Sequence, residues 1–570
     1  MLQKVGGWLF RAITLRRVVQ LGFFFLFLWL ILKTVYIFEG EEPIIPRDLF
    51  LRFDPLAGFL TSISSRSGAI LAEKFLFAIG LTVLAFLLGR FFCNWICPLG
   101  TTLDVVDRII RPRTREPKSK VRITHTAGLR NLKYYILVFF IVAALFSTQL
   151  SWLMDPISIV TRSYGIVLYP YLSRFIDLTL APLYRVPVVN RISEPIYGFL
   201  RTRFLSEEQP VFQLQLLFFL IFAAILFLVR YHPRFWCRYL CPLGALFGAC
   251  GKFSLVRRVV DPERCDDCGK CQRECRTAAI TENPRGYHAQ ECTVCLTCQA
   301  ICPTGAISFK FASPFGKEEK EHAPKGRLAY CSIIEHYCPF RKEEKKYTPK
   351  GLALSRRGFI KAAALGALAL PVMKLKVQEK SFNPFLIRPP GALPEEEFLD
   401  KCIRCAECMK ACPTNALQPA VLQGGVEAIG TPIIVPKVGY CEYECNTCGQ
   451  VCPTGAIRKL PIEEKQKFKM GTAYFNKNKC YPWNEHINCL VCEEHCPVPD
   501  KAIKFWETEV IEQRTNKTVK VLLPYVVTEL CIGCGICENK CPIAEEPGIR
   551  VTVREELRHK ERYTGDRGVF

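Results

Sequence analysis

With 570 residues, 50% of them hydrophobic, a net charge of +23 and a mean hydropathy of +0.14, the chain is more apolar than most soluble proteins, and part of it is expected in a membrane. Its 31 cysteines exclude an ordinary cytosolic enzyme, and their tight local runs favour a metal framework over disulfides, whose partners need no fixed spacing. The positive charge is spread over loops and a linker, so nucleic acid is not an expected partner.

In chain order, the first elements are apolar. Val18–Leu32 and Phe75–Gly89 run 15 residues each before Lys33 or Arg90, and Tyr134–Met154 and Gln209–Val229 run 21 residues each without a charge. About 20 helical residues span about 30 Å of hydrocarbon, and basic side chains at a helix end snorkel to the interface, so all four read as spans. For the two shorter stretches the alternative is a buried soluble helix. Lys and Arg in short loops set the orientation. Four (Lys4, Arg11, Arg16, Arg17) lie in the first 19 residues and nine in 101–133, against three in 39–73, which opens with Glu39, Glu41 and Glu42. The N-terminus, the 101–133 connection and the residues after the fourth span are therefore expected in the cytoplasm, and 156–209 outside. None of the eight histidines lies in a span and C-x-x-C-H is absent, so no haem is expected.

A repeat follows two of these stretches. Arg90 to Asp104 reads RFFCNWICPLGTTLD and Arg234 to Gly248 reads RFWCRYLCPLGALFG. On a helix, positions i and i+4 share a face, so Cys93 with Cys97, and Cys237 with Cys241, would each present two sulfurs together before Pro98 and Pro242 turn the chain away. If a pseudo-twofold axis relates the halves, the four thiolates converge on a further cluster; the alternatives are packing cysteines or a reversible thiol pair.

Next come Cys265, Cys268, Cys271, Cys275 and Cys292, Cys295, Cys298, Cys302, both with the C-x-x-C-x-x-C-x-x-x-C spacing of bacterial two-cluster ferredoxins. There the fourth cysteine of each run ligates the other cluster, which assigns Cys265, Cys268, Cys271 and Cys302 to one cubane and Cys292, Cys295, Cys298 and Cys275 to the second. Arg276 stands where a proline is usual. Residues 310–361 then hold 13 Lys or Arg against six acids without apolar periodicity, a solvated cytoplasmic linker. Cys250, Cys331 and Cys338 are left over, the last two flanking His336 as free thiols or a small metal site.

LSRRGFIKAAALGALAL, at 354–370, has the features of a twin-arginine export signal, with an apolar part from Ala362 to Met373 too short to span; the alternative is an amphipathic or buried helix. Ala367-Leu368-Ala369 resembles a cleavage site, and an uncleaved segment would remain as an anchor. Beyond it, Cys402, Cys405, Cys408, Cys412 and Cys531, Cys534, Cys537, Cys541 have the standard spacing, whereas Cys441, Cys445, Cys448, Cys452 and Cys480, Cys489, Cys492, Cys496 have longer first gaps. Four runs imply four more [4Fe-4S] clusters, six in all with a seventh at the membrane repeats. Standard outer and irregular inner runs hint at nested pairing, first with fourth and second with third, with sequential pairing as the alternative. Structural zinc, the rival metal, favours two separated pairs over three thiolates in seven residues.

On these motifs, residues 1 to about 310 resemble the NapH membrane subunits that serve periplasmic nitrate reductase, and 355–570 resemble the exported NapG subunits; the membrane half is also similar to NosR, whose external flavin domain has no counterpart here. The resemblance implies oxidation of quinol, menaquinol in particular, drawn from the membrane pool, and delivery of electrons to a periplasmic reductase or cytochrome subunit, with a further membrane subunit as another expected partner. A role as electron-donating maturation factor for a metalloenzyme is the other reading. The expected fold is an α-helical polytopic membrane domain (1–250) with α+β bacterial-ferredoxin-like domains: a cytoplasmic one (251–310), the linker (311–354), the signal or anchor (355–375) and an exported four-cluster domain (376–570). No residue pattern assigns a quinone site; Arg90 and Arg234 are its nearest candidates. No catalytic residue is expected, and with no haem to bridge the bilayer the sequence draws no continuous electron path across it.

Overall fold

The computed structural model describes residues 2–34, 45–110, 127–180, 194–195, 197–200, 209–281, 283–311, 355–373, 383–511, 518–543 and 545–559. Nearly all of the linker, with Cys331 and Cys338, lies outside them. The main helices are α1 (Leu2–Lys33), α2 (Pro55–Ser64), α3 (Leu76–Leu88), α4 (Pro98–Ile110), α5 (Ala127–Leu145), α6 (Pro156–Arg162), α7 (Gln215–Phe227), α8 (Pro242–Gly251) and α9 (Arg356–Met373). Four of them open on proline, whose missing N–H costs nothing at a helix start. Asp54 and Asp155 cap α2 and α6, accepting from Leu56 N at 3.0 Å and from Ser158 N at 2.6 Å.

The apolar runs and the helices do not coincide. The helix within Tyr134–Met154 stops at Leu145, where Ser147 turns left-handed (φ 56°) and a 3₁₀ turn follows at Ser151–Leu153. The Gln209–Val229 helix starts only at Gln215, after Leu214 at φ 59°. Among the described residues one helix is long and apolar enough to cross a membrane, over Thr14–Lys33 of α1. The shorter α3 and α7 nevertheless turn apolar side chains outward: Leu76, Val83 and Phe86, and Leu216, Leu220 and Phe227, are all exposed. The α9 helix extends the expected apolar part of the signal back through the twin arginines.

The chain sorts into two compact units: 1–22, 80–135 and 229–359 form one, and 23–79, 136–228 and 360–570 the other. In the first, strands β1 (Val256–Val260) and β2 (Ile307–Phe311) pair antiparallel, Val256 opposite Phe311 and Val260 opposite Ile307. Both ferredoxin runs lie between these strands in sequence, so one pairing closes the loop that contains them.

The second unit repeats this plan twice. An antiparallel bridge between Ala392 and Ile457 brackets the first and second C-terminal runs, with a hairpin of β3 (Leu417–Pro419) and β4 (Pro432–Ile434) between them. Strands β5 (Thr472–Phe475) and β8 (Ile549–Thr552) bracket the third and fourth. Between those runs rises a hairpin of two nine-residue strands, β6 (Ile503–Ile511) and β7 (Thr518–Val526), its Trp506 stacked 5.1 Å from Tyr525. A shared apolar core joins Phe398, Met409, Met470 and Val551 to the cysteines of both brackets.

Candidate metal centres

The standard cysteine runs are shaped by backbone conformation. In each, the residues just before and just after the second cysteine are left-handed: Asp267 and Gly269, Val294 and Leu296, Arg404 and Ala406, Gly533 and Gly535. Successive N–H groups in such a turn point into one concavity, which suits an anionic cluster. Each turn leads into a four-residue helix that carries the third cysteine. The two irregular runs lack the pattern: Asn446 and Leu490 sit at φ −126° and −109°. A further regularity follows the fourth cysteine, where Thr277, Thr304, Thr414 and Thr454 bring a hydroxyl to 3.5–3.8 Å of the sulfur of Cys275, Cys302, Cys412 and Cys452.

The fold brings the sulfurs together in fours. Cys292, Cys295 and Cys298 are joined by Cys275, and Cys302, like Cys275 and Cys298, packs on the small core of Cys271, Ile280 and Ile307. In the C-terminal region Cys402, Cys405 and Cys408 gather with Cys452. Cys412 joins Cys441, Cys445 and Cys448 around one pocket. Cys480, Cys489, Cys492 and Cys541 line a second, and Cys496, Cys531, Cys534 and Cys537 a third. The pairing is therefore sequential, first run with second and third with fourth, and the nested arrangement hinted at by the spacing is corrected. Strand closure is the reason: each bracket pairs the segment before one run with the segment after the next.

These quartets fit [4Fe-4S] clusters on their donor chemistry and their grouping in fours. Among the described residues no group of three or more His, Cys, Asp or Glu closes tightly enough to hold a single metal ion. A cubane holds its thiolates farther apart than one ion does. Burial pushes the thiols of Cys298 and Cys492 up to about 12, so ionised ligands there need the countercharge that iron provides. A bound cluster supplies one-electron transfer, with a potential set by hydrogen bonds to sulfur, net charge and water access. The chain contributes such bonds: Ala279 N and Ala473 N approach the sulfurs of Cys275 and Cys531 at 3.3 and 3.4 Å, and the buried Arg258 reaches that of Cys271 at 3.7 Å.

The repeat cysteines Cys93, Cys97, Cys237 and Cys241 are all buried and lie within mutual electrostatic range, making a seventh quartet in the first unit. They do not share helix faces as expected. A short helix at Phe92–Trp95 and a π-helical turn at Trp236–Leu240 end before the second cysteine of each pair; Cys241 caps α8 by accepting from Gly244 N. The arginine that opens each repeat crosses to the other. Arg90 Nη2 donates to the Cys237 carbonyl, and Arg234 Nη1 to that of Cys93, each at 3.0 Å. Gly244 makes room for Arg90, since a Cβ there would meet its Nη2 at 2.7 Å, whereas at Gly100 a Cβ would meet the Cys93 carbonyl oxygen at 2.6 Å. This reciprocity is the twofold relation the repeat implies.

Both arginines are ion-paired. Arg234 pairs with Asp104, which also receives Arg276 at 2.7 Å. Arg90 pairs with Glu291, which takes Lys133 at 2.5 Å and adjoins Cys292 in sequence. Burial raises the Glu291 carboxyl, but Lys133 and Arg90 outweigh it and hold it below the usual range. Asp104, Lys133, Glu291 and the cluster threonines carry no cysteine-like signal in the sequence, although the Thr two places after four of the fourth cysteines was there to be read.

Family comparisons agree with this reading. A family model described as a 4Fe-4S binding domain matches 74–116 and 214–260, a 4Fe-4S dicluster domain matches 401–456, and a second 4Fe-4S binding domain matches 258–281 and 524–544. The dicluster match spans the first and second C-terminal runs, and the first match spans both C-x-x-x-C-P-L-G repeats. The methylamine utilization ferredoxin-type protein MauM of Methylorubrum extorquens is 36% identical over 34% of this chain and 86% of its own length. The ferredoxin-type protein NapG of Escherichia coli is 35% identical over 36% of this chain and 91% of its own. MauM of Paracoccus denitrificans is 33% identical over 34% of this chain and 84% of its own. No solved structure matches. The chain is an iron-sulfur electron-transfer protein with multiple [4Fe-4S] sites, and it belongs to the NapG/MauM family of ferredoxin-type proteins.

Proposed function

We propose that the protein is a membrane-bound electron conduit that takes electrons from quinol and passes them to a redox partner outside the cytoplasmic membrane. The observation that carries this reading is the distribution of sulfur quartets. The two ferredoxin runs and the repeat quartet belong to the unit that holds 1–22, whereas the four C-terminal runs belong to the other. Four of the unit boundaries, after Gly22, Ile79, Tyr135 and Leu228, fall within the apolar stretches read as spans. The outward apolar side chains of α1, α3 and α7 support a lipid environment. On this reading residues 1–250 are a NapH-like or NosR-like four-span domain, 251–310 a cytoplasmic ferredoxin, and 376–570 a NapG-like domain exported behind the twin-arginine segment.

The 24 ferredoxin-type cysteines would hold six clusters, and Cys93, Cys97, Cys237 and Cys241 a seventh. The partner is a reductase or cytochrome on another polypeptide. Anaerobic mixing of the purified full-length chain with a reduced short-chain naphthoquinone tests the reading. The broad visible absorption of oxidised clusters is expected to bleach at a rate compatible with respiration. Clusters that respond to dithionite but not to the quinol would turn the assignment to a maturation factor.

A further inference from the structure

The second unit buries two arginines beside the first C-terminal quartet. Arg162, in α6, is 4% exposed, and Arg404, between Cys402 and Cys405, is 2% exposed. Their hydrogen bonds run to backbone carbonyls. Arg162 donates to those of Arg404 and Trp152, each at 3.3 Å, and Arg404 to those of Gln149 at 2.9 Å, Cys402 at 3.2 Å and Ile429 at 3.0 Å. Both guanidiniums also lie over the Trp152 ring, 5.4 and 5.0 Å from its centre. Carbonyl dipoles and a ring face hold a cation in place without cancelling its charge, and a buried charge needs a counter-ion.

The acids nearby supply little of it. Asp155 lies within electrostatic range of Arg162, but it is fully buried against Asp54, and two buried carboxyls in hydrogen-bond contact keep one proton between them. That leaves one negative charge facing two arginines. Glu407, next to Cys408, is matched by Lys410, and Glu395 by Arg388 and Arg558. Glu427, in range of Arg404, is half-exposed, where water screens it. The remaining anion is the quartet itself: the Cys405 sulfur is in range of Arg162 and the Cys402 sulfur in range of Arg404. Two other C-terminal quartets have one cation each. Beside the second, the buried Lys465 donates to the carbonyls of Glu442 and Tyr443; beside the fourth, the half-exposed Lys501 donates to that of Cys496 at 3.0 Å.

One-electron reduction adds a negative charge to a cubane, whose potential follows net charge and water access. Where water is excluded, a fixed cation acts with little screening. We infer that Arg162 and Arg404 raise the potential of the cluster held by Cys402, Cys405, Cys408 and Cys452, making it the C-terminal site that is reduced first. This poise is the same whichever donor supplies the electron, so losing it leaves the quinol reading standing.

An anaerobic redox titration of the full-length protein, followed by electron paramagnetic resonance, tests this on wild type, Arg162→Gln and Arg162→Lys. Arg162→Gln is expected to lower one midpoint by at least a tenfold change in its oxidised-to-reduced ratio, about 59 mV for one electron, with iron and sulfide content unchanged. The midpoint that moves is expected to lie above at least three others in the wild type, and Arg162→Lys to keep it there. Unmoved midpoints in Arg162→Gln, or an equal fall in Arg162→Lys, overturn the role of charge. Movement of a midpoint with fewer than three below it overturns the ranking. If Arg162→Gln loses iron, Glu427→Gln decides: removing that half-exposed anion is expected to raise a midpoint that lies above at least three others, and no rise overturns the assignment.

Discussion

Arg90 and Arg234 stand three residues ahead of the first cysteine of their own repeats, and each binds the backbone of the other. Both are fully buried, so each must be paired; Arg234 finds Asp104 and Arg90 finds Glu291. Removing one side of such a pair strands the other. Arg234→Met is expected to cost about 3–5 kcal/mol, read as a lowered thermal midpoint with loss of iron from the repeat quartet. Lys520→Met breaks an exposed pair with Glu507 and is expected to leave the thermal midpoint as in the wild type. A wild-type midpoint in Arg234→Met would remove the clamp from the account of this quartet. The repeat itself was legible because cysteine, proline and glycine recur at one spacing. The crossing of the arginines was not, since it depends on how two distant segments pack, and Arg276 looked like a mere departure from the ferredoxin pattern until Asp104 came within 2.7 Å of it.

At the level of elements, each ferredoxin bracket is closed by joining the chain before its first run to the chain after its second. The C-terminal region adds a strap: Val553 N donates to the Pro384 carbonyl at 2.8 Å, and Arg558 reaches Glu395 at 3.2 Å beside Arg388. Burial raises the Glu395 carboxyl, but Arg388 and then Arg558 outweigh it and hold it at about 2. A carboxyl depressed in the folded state adds stability above its unfolded value and loses it as the pH falls through the folded one. Chemical denaturation of wild type and Glu395→Gln should therefore differ by about 3 kcal/mol at pH 7, and the gap should shrink from about pH 4.5 down toward 2. A gap constant across that window would show that Glu395 is not held ionised by its arginines. Here sequence spacing carried the cysteines but misjudged their partners. Irregular first gaps in the 441 and 480 runs suggested nesting, whereas strand pairing at Ala392–Ile457 and β5–β8 decides the matter and has no local signature. The apolar runs misled in the same way, because uncharged residues such as Thr148–Met154 read like helix but turn at Ser147.

For the molecule as a whole, composition leads to the expectation of a membrane protein rich in iron, and the proposal built on it rests on two separable features. One is the outward apolar surface of α1, α3 and α7. The other is a set of sulfur quartets sorted between two units by the fold. The family relationship covers about a third of the chain, and the repeat quartet gains its own support from the 4Fe-4S binding domain match at 74–116 and 214–260. What ties the parts together is the claim that every quartet is a cluster site, the membrane one included. Iron and acid-labile sulfide measured on the anaerobically purified full-length chain test it most directly. Seven filled sites give about 28 iron and 28 sulfide per chain; about 24 of each would remove the repeat quartet, and material free of both would contradict the assignment throughout.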